Sequence, residues 1–183
     1  KRLHELNNSL TQPILLADGS LIAVRLLADR AKDKVSTGHK DNFNNWKIAN
    51  YRTQIVRIKQ NGSERVLNRG TNPSLSPDGE WIAFSMPDGR DMNLYLMRTD
   101  GSELTQLPSA RSVDVQPVWS PDGKWIVFTS NRAKADVREP SKSNWDIWAI
   151  DREGRSLTQL TMDKARDGAP TIAADGRVYF HSD

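Results

Sequence analysis

Short runs of alternating apolar and polar residues recur along this chain, separated by turns that contain Gly. In the run Trp125–Ser130, Trp125, Val127 and Thr129 fall on one side and Ile126 and Phe128 on the other. That period of two predicts β-strands. No stretch carries the three-to-four-residue spacing of an amphipathic helix over any length. The pattern therefore predicts an all-β chain of short strands.

The runs themselves repeat. "SPDGEWIAF" spans Ser76 to Phe84, and "SPDGKWIVF" spans Ser120 to Phe128. Aligned on the Asp-Gly pairs, four copies emerge: "QPILLADGSLIAVRL" from Gln12, "NPSLSPDGEWIAFSM" from Asn72, "QPVWSPDGKWIVFTS" from Gln116 and "APTIAADGRVYFHSD" from Ala169. A Pro stands five residues before each Asp, at Pro13, Pro73, Pro117 and Pro170. Asp-Gly between two strand-like runs is a strong hairpin signal. The pairs Asp18-Gly19, Asp78-Gly79, Asp122-Gly123 and Asp175-Gly176 read as structural turns, each Asp bonding its own turn's backbone. Trp81 and Trp125, at matching places, read as packing residues. A second hairpin follows in three copies, Thr53–Asn68, Asn93–Pro108 and Asp146–Thr161.

The unit is thus four antiparallel strands, a to d. Packed radially, such units make a β-propeller blade by blade. The turn glycines at 19, 79, 123 and 176 are 60, 44 and 53 residues apart. A minimal blade takes about 40–45 residues, so the first and third units carry insertions. Blade units fall at about 12–70, 72–108, 116–161 and 169–183, within one propeller domain over 1–183. The last unit stops after strand b. "RLHELN" near the start reads as an outer strand for a closing blade. Three arrangements are consistent with this: a fragment of a ring of six or more blades, a four-bladed ring with an incomplete closing blade, or a dimer through that blade.

"PVWSPDGKWIVFTSN" followed by "DIWAIDREGRSLTQLT" closely resembles the repeats of TolB-type β-propellers, most strongly over Pro73–Pro108 and Pro117–Thr161. "LLADG" in the first unit and "IAADG" in the fourth depart from that pattern. The resemblance covers about residues 12 to 183. It implies a propeller in the periplasm or another extracytoplasmic space, a non-enzymatic protein-binding role, and a place near the Tol–Pal envelope system. The same repeats occur in the propellers of prolyl-oligopeptidase-like peptidases, so a domain of a larger peptidase-like or polysaccharide-acting enzyme is the alternative.

Charge then points to one end of the fold. In a four-stranded meander the a–b and c–d turns share one end; the b–c and d–a loops share the other. Both insertions are b–c loops. Asp29–Thr53 holds Arg30, Lys32, Lys34, Lys40, Lys47 and Arg52 against three Asp; Asn131–Asn144 holds Arg132, Lys134, Arg138 and Lys142 against Asp136 and Glu139. Their combined +5 exceeds the chain's formal +3. Long loops on one end of a rigid scaffold are the usual place for binding residues. The expected partner-binding set adds His39, Trp46 and Trp145, with Arg69, Arg111 and Arg166 from the d–a loops. A protein partner is expected, with a glycan as the other candidate.

The remaining chemistry is excluded by residue type. There is no Cys, and His4, His39 and His181 fall in no metal-ligand spacing. No Gly-x-Ser-x-Gly elbow or phosphate-binding Gly loop is present. No catalytic residue, metal or cofactor is expected. A formal charge of +3 does not suggest nucleic acid. No apolar run approaches a membrane span, and "KRLHELNNSL" reads as no secretory signal.

Overall fold

A computed structural model describes residues 10–27, 53–89, 91–134 and 143–183. These form fourteen strands in four antiparallel sheets. Blade 1 holds β1 (Leu10–Leu15), β2 (Leu21–Leu26), β3 (Thr53–Ile58) and β4 (Glu64–Arg69). Blade 2 holds β5 (Thr71–Leu75), β6 (Trp81–Asp88), β7 (Asp91–Arg98) and β8 (Thr105–Gln106). Blade 3 holds β9 (Asp114–Trp119), β10 (Trp125–Ser130), β11 (Asp146–Asp151) and β12 (Leu157–Gln159). Blade 4 contributes β13 (Asp167–Ile172) and β14 (Val178–Ser182). In each sheet the strands pair in sequence order, as the four-stranded meander requires. Of the residues expected to form an outer strand, 1–10, residues 1–9 lie outside the described part, and Leu10 belongs to strand a instead, opening β1 opposite Arg25.

The alternation in strand b sorts side chains between neighbouring blades, not between core and water. Ile82 and Phe84 pack with Ile22 and Ile55 of blade 1, while Ala83 packs toward Trp119, Ile126 and Phe128 of blade 3. Val127, on the opposite side of β10 from Ile126 and Phe128, packs with Ile172 and Val178 of blade 4. Ile22, Ile55, Ile82, Phe84, Ile126 and Phe128 are all fully buried. A sheet covered on both faces needs apolar residues at both phases of the strand, as in sandwich and propeller interiors.

The repeated Pro has a structural consequence of its own. The residue before each one, Gln12, Asn72, Gln116 and Ala169, has a φ of 51–55°. Each lies where the a–b pairing slips register. These are β-bulges in strand a, where Pro can sit because no ladder donor is needed. The bulge side chains stitch blades together. Gln12 Oε1 accepts from the Asn72 N–H at 2.9 Å, and Gln116 Oε1 accepts from the Ala169 N–H at 2.9 Å.

Candidate partner-binding face

The strand register puts the roots of both insertions at one end of the blades. Leu26 pairs with Thr53 across the root of the first, and Ser130 pairs with Asp146 across the root of the second. Arg69 opposes Gln54 at this end, and Asp114 opposes Ser130. Arg111 precedes β9 and Arg166 precedes β13, so both enter from the same side. At the other end lie the Asp-Gly turns.

The root of the second insertion is a buried polar cluster. Arg132 begins a 3-10 turn, Arg132–Lys134, directly after β10. Its Nη2 donates to Asp114 Oδ2 at 2.7 Å, and its guanidinium lies 4.9 Å from the Phe128 ring centroid and 5.4 Å from that of Trp148. Ser130 and Ser112 hydroxyls donate to Asp114 Oδ1 at 2.6 and 3.0 Å. The side chains of Arg132 and Asp114 are 6% and 1% exposed. Burial pushes the Asp114 carboxyl upward; the Arg132 charge and the Ser130 hydrogen bond oppose that shift. Next door, Asn131 Oδ1 accepts from the Val113 N–H at 2.8 Å, and Asn131 Nδ2 donates to Ser143 Oγ at 3.2 Å. The insertion therefore leaves the blade from a fixed stem.

Two expected contact residues belong to this stem or the core instead of the surface. Arg132 is turned inward, because the buried Asp114 demands a cation. Trp145 is fully buried with Met92, Val113 and Val115, since it stands one residue before the inner part of strand c. Arg69 and Arg111 are exposed. Arg166 is half-buried and meets Asp183 at 3.2 Å. Arg30, Lys32, Lys34, His39, Lys40, Trp46, Lys47, Arg138 and Lys142 lie outside the described residues, and Lys134 closes the 3-10 turn.

Asp114 and Asp167 escaped the motif reading, although both stand three residues before the repeated Pro. That Asp-x-x-Pro spacing was the available signal. Asp167 is fully buried, and neither carboxylate oxygen has a hydrogen-bond partner among the described residues. Its N–H donates to the Trp145 carbonyl at 2.8 Å.

On the opposite end each turn Asp is engaged locally. Asp18 Oδ1 accepts from the Ser20 N–H at 2.9 Å, Asp78 Oδ1 from the Glu80 N–H at 3.0 Å, Asp122 Oδ1 from the Lys124 N–H at 3.1 Å and Asp175 Oδ1 from the Arg177 N–H at 3.0 Å. Bonds from the Ser20 side chain and backbone bring Asp18 from 3.8 to about 2, against the opposing effect of burial and with help from Arg57. Among the described residues no group of three or more His, Cys, Asp or Glu is placed to hold a metal ion. Nor is any described helix long and apolar enough to cross a membrane.

The TolB β-propeller domain family matches residues 47–137. This chain is built of TolB-type propeller repeats. The Tol-Pal system protein TolB of Anaeromyxobacter dehalogenans is 47% identical over 44 residues, 24% of this chain and 10% of that protein. The uncharacterized peptidase YuxL of Bacillus subtilis is 28% identical over an alignment covering 95% of this chain and 29% of YuxL. The crystal structure of TolB from Acinetobacter baumannii superposes with a TM-score of 0.64 at 20% identity, covering 93% of this chain and 37% of that one. The TolB-type repeats here thus span well under two thirds of each of these proteins.

Proposed function

We propose that this TolB-type propeller segment is a non-enzymatic, extracytoplasmic binding module that holds a protein partner against its loop face. The observation that carries the reading is the asymmetry of the two ends. One end carries the roots of both basic insertions and the exposed Arg69 and Arg111, and the second root is fixed by the buried Arg132–Asp114 pair. The other is formed by tight turns in which one carboxylate oxygen of each Asp accepts its own turn's N–H. A cationic face of this kind suits a partner with an acidic surface.

The test is site-specific photo-crosslinking in cells that express the protein. A photoreactive residue at Arg111 should give a discrete adduct, absent when it is placed at Asn61 on the turn face. Charge reversal of Arg69 together with Arg111 should abolish the adduct without lowering the melting temperature. Equal adducts from both faces would sink the proposal.

The alternative role, as the propeller of a larger peptidase, is favoured by the alignment with YuxL over 95% of this chain. Labelling of the intact gene product by a fluorophosphonate serine-hydrolase probe would decide for it; no labelling would decide against a serine peptidase.

A further inference from the structure

Asn61-Gly62 is the one Asn-Gly pair in the sequence. It stands at the tip of the c–d hairpin of blade 1, where Asn61, Gly62 and Ser63 are all exposed. The Lys59 N–H donates to the Ser63 carbonyl at 2.8 Å, the Gly62 N–H donates to the Lys59 carbonyl at 2.9 Å, and Gly62 has a φ of 82°. This is a type I turn closed by a glycine bulge.

Two other turns share the geometry but begin with Asp. Asp18-Gly19-Ser20 closes with Leu16 N–H to the Ser20 carbonyl at 2.8 Å and Gly19 N–H to the Leu16 carbonyl at 2.9 Å. Asp100-Gly101-Ser102 closes with Arg98 N–H to the Ser102 carbonyl and Gly101 N–H to the Arg98 carbonyl, both at 2.8 Å. Their glycines have φ of 77° and 88°. In both turns the Asp Oδ1 accepts from the Ser N–H at 2.9 Å and also from the Ser hydroxyl, at 2.5 Å from Ser20 and 2.6 Å from Ser102. The hydroxyl bond is the leading cause that holds each of these carboxyls below its ordinary range. Among the described residues Asn61 Oδ1 accepts the Ser63 N–H alone, at 2.9 Å. An ionised oxygen is the stronger acceptor. The turn is therefore built for Asp, and at position 61 it holds the amide of that residue.

We propose that Asn61 is a self-modifying site, which converts to aspartate in a turn that accepts aspartate and rejects isoaspartate. The Gly62 nitrogen, giving its proton to solvent, bonds to Asn61 Cγ. The Cγ–Nδ2 bond breaks, and ammonia leaves. Gly62 has no side chain to obstruct this approach. Water then opens the cyclic imide. Breaking the N–Cγ bond gives aspartate; breaking the bond from nitrogen to the Asn61 main-chain carbonyl carbon gives isoaspartate. Isoaspartate adds a methylene to the main chain between Lys59 and Ser63, so the two closing bonds no longer match. Attack requires the Gly62 N–H to leave the Lys59 carbonyl, and an exposed hairpin beside an outer strand opens locally at low cost. The new carboxylate lies in the turn between Lys59 and Arg65, two cations that line a cleft of about 560 Å³ with Arg57 and Asp100. The conversion is thus a slow, one-way change of local charge.

The test ages the 183-residue chain in native buffer at neutral and at mildly acidic pH. Tryptic peptides are then followed by mass spectrometry, with isoaspartate read by isoaspartyl-methyltransferase labelling. The Gln60–Arg65 peptide should gain the amide-to-acid mass increment several-fold faster than any other Asn-containing peptide, and faster at neutral than at acid pH. In moderate urea, pulse proteolysis of the aged sample should leave intact chains depleted of isoaspartate at position 61. Asn61→Asp should melt at or above the parent temperature at neutral pH. Asn61 unchanged while other asparagines convert would overturn the proposal. So would surviving chains as rich in isoaspartate as the whole sample, or an Asn61→Asp variant less stable than the parent.

Discussion

Replacing Arg132 by Leu should be among the most destabilising single changes in this chain, although it removes a residue whose sequence context reads as surface. Leu keeps apolar contact with Phe128 and Trp148 and leaves the backbone N–H bond to Ser130, 3.0 Å, in place. What it removes is the cation 2.7 Å from Asp114 Oδ2, in a site where both side chains are at least 94% buried. Breaking one partner of a buried pair costs about 3–5 kcal/mol, because the other charge stays buried and uncompensated. For a domain of this size that lowers Tm by roughly 6–20 °C. Urea denaturation and calorimetry measure it. Adding Asp114→Asn removes the orphaned charge while keeping acceptors for Ser112 and Ser130, so the double variant should be more stable than Arg132→Leu alone. The pH dependence has a fixed sign. In the Leu variant the folded-state Asp114 is raised further above its unfolded value, so the folded form holds the proton more tightly. The stability deficit should therefore be smallest in acid and grow as pH rises from the unfolded carboxyl range through the folded one. A loss under about 1 kcal/mol at neutral pH, or no recovery in the double variant, would refute the reasoning.

Two further outcomes follow from the same geometry. A Cβ at Gly70, where φ is 143°, would stand 2.7 Å from Phe84 Cδ2 and 2.8 Å from the Ser85 carbonyl, whereas at Gly79, φ 73°, it would meet nothing within 4 Å. Gly70→Ala should therefore cost about 2–4 kcal/mol from clash and strain together, and Gly79→Ala only about 1 kcal/mol; equal losses in urea titrations would contradict this. Ser20→Ala should raise the Asp18 midpoint from about 2 toward 3.8, since Ser20 supplies the leading hydrogen bond. The depressed folded pKa contributes stability that is present above 3.8 and lost as pH falls toward 2, so the variant should show a weaker acid dependence in that window. Carboxyl-carbon NMR reads the midpoint, and an unmoved value would exclude the Ser20 bond as its cause.

The architecture was legible because its signals are local. Asp18-Gly19, Asp78-Gly79, Asp122-Gly123 and Asp175-Gly176 each fix a turn within a few residues, and the runs after them carry strand alternation. Repetition of a local signal then implies the blade. Side-chain destinations were not local. Arg132 reads as one of four cations in a polar loop, yet Asp114, eighteen residues earlier, claims it. Trp145 borders the same loop and is fully buried, because strand packing decides which side of a strand's first residues faces the core. Trp81 and Trp125 hold the same place in the repeat, yet the cross-strand residue is Arg98 for one and Asp151 for the other.

By itself, then, the sequence determined the repeat, the hairpin turns, the all-β class and which end of each blade carries the long loops. These depend on backbone preferences and alternation within single strands. The tertiary structure decided which cations are neutralised in the interior, which loop-border aromatic is buried, and how bulged glutamines join one blade to the next. Those depend on contacts between blades, and a contact between residues tens of positions apart leaves no mark in either stretch alone.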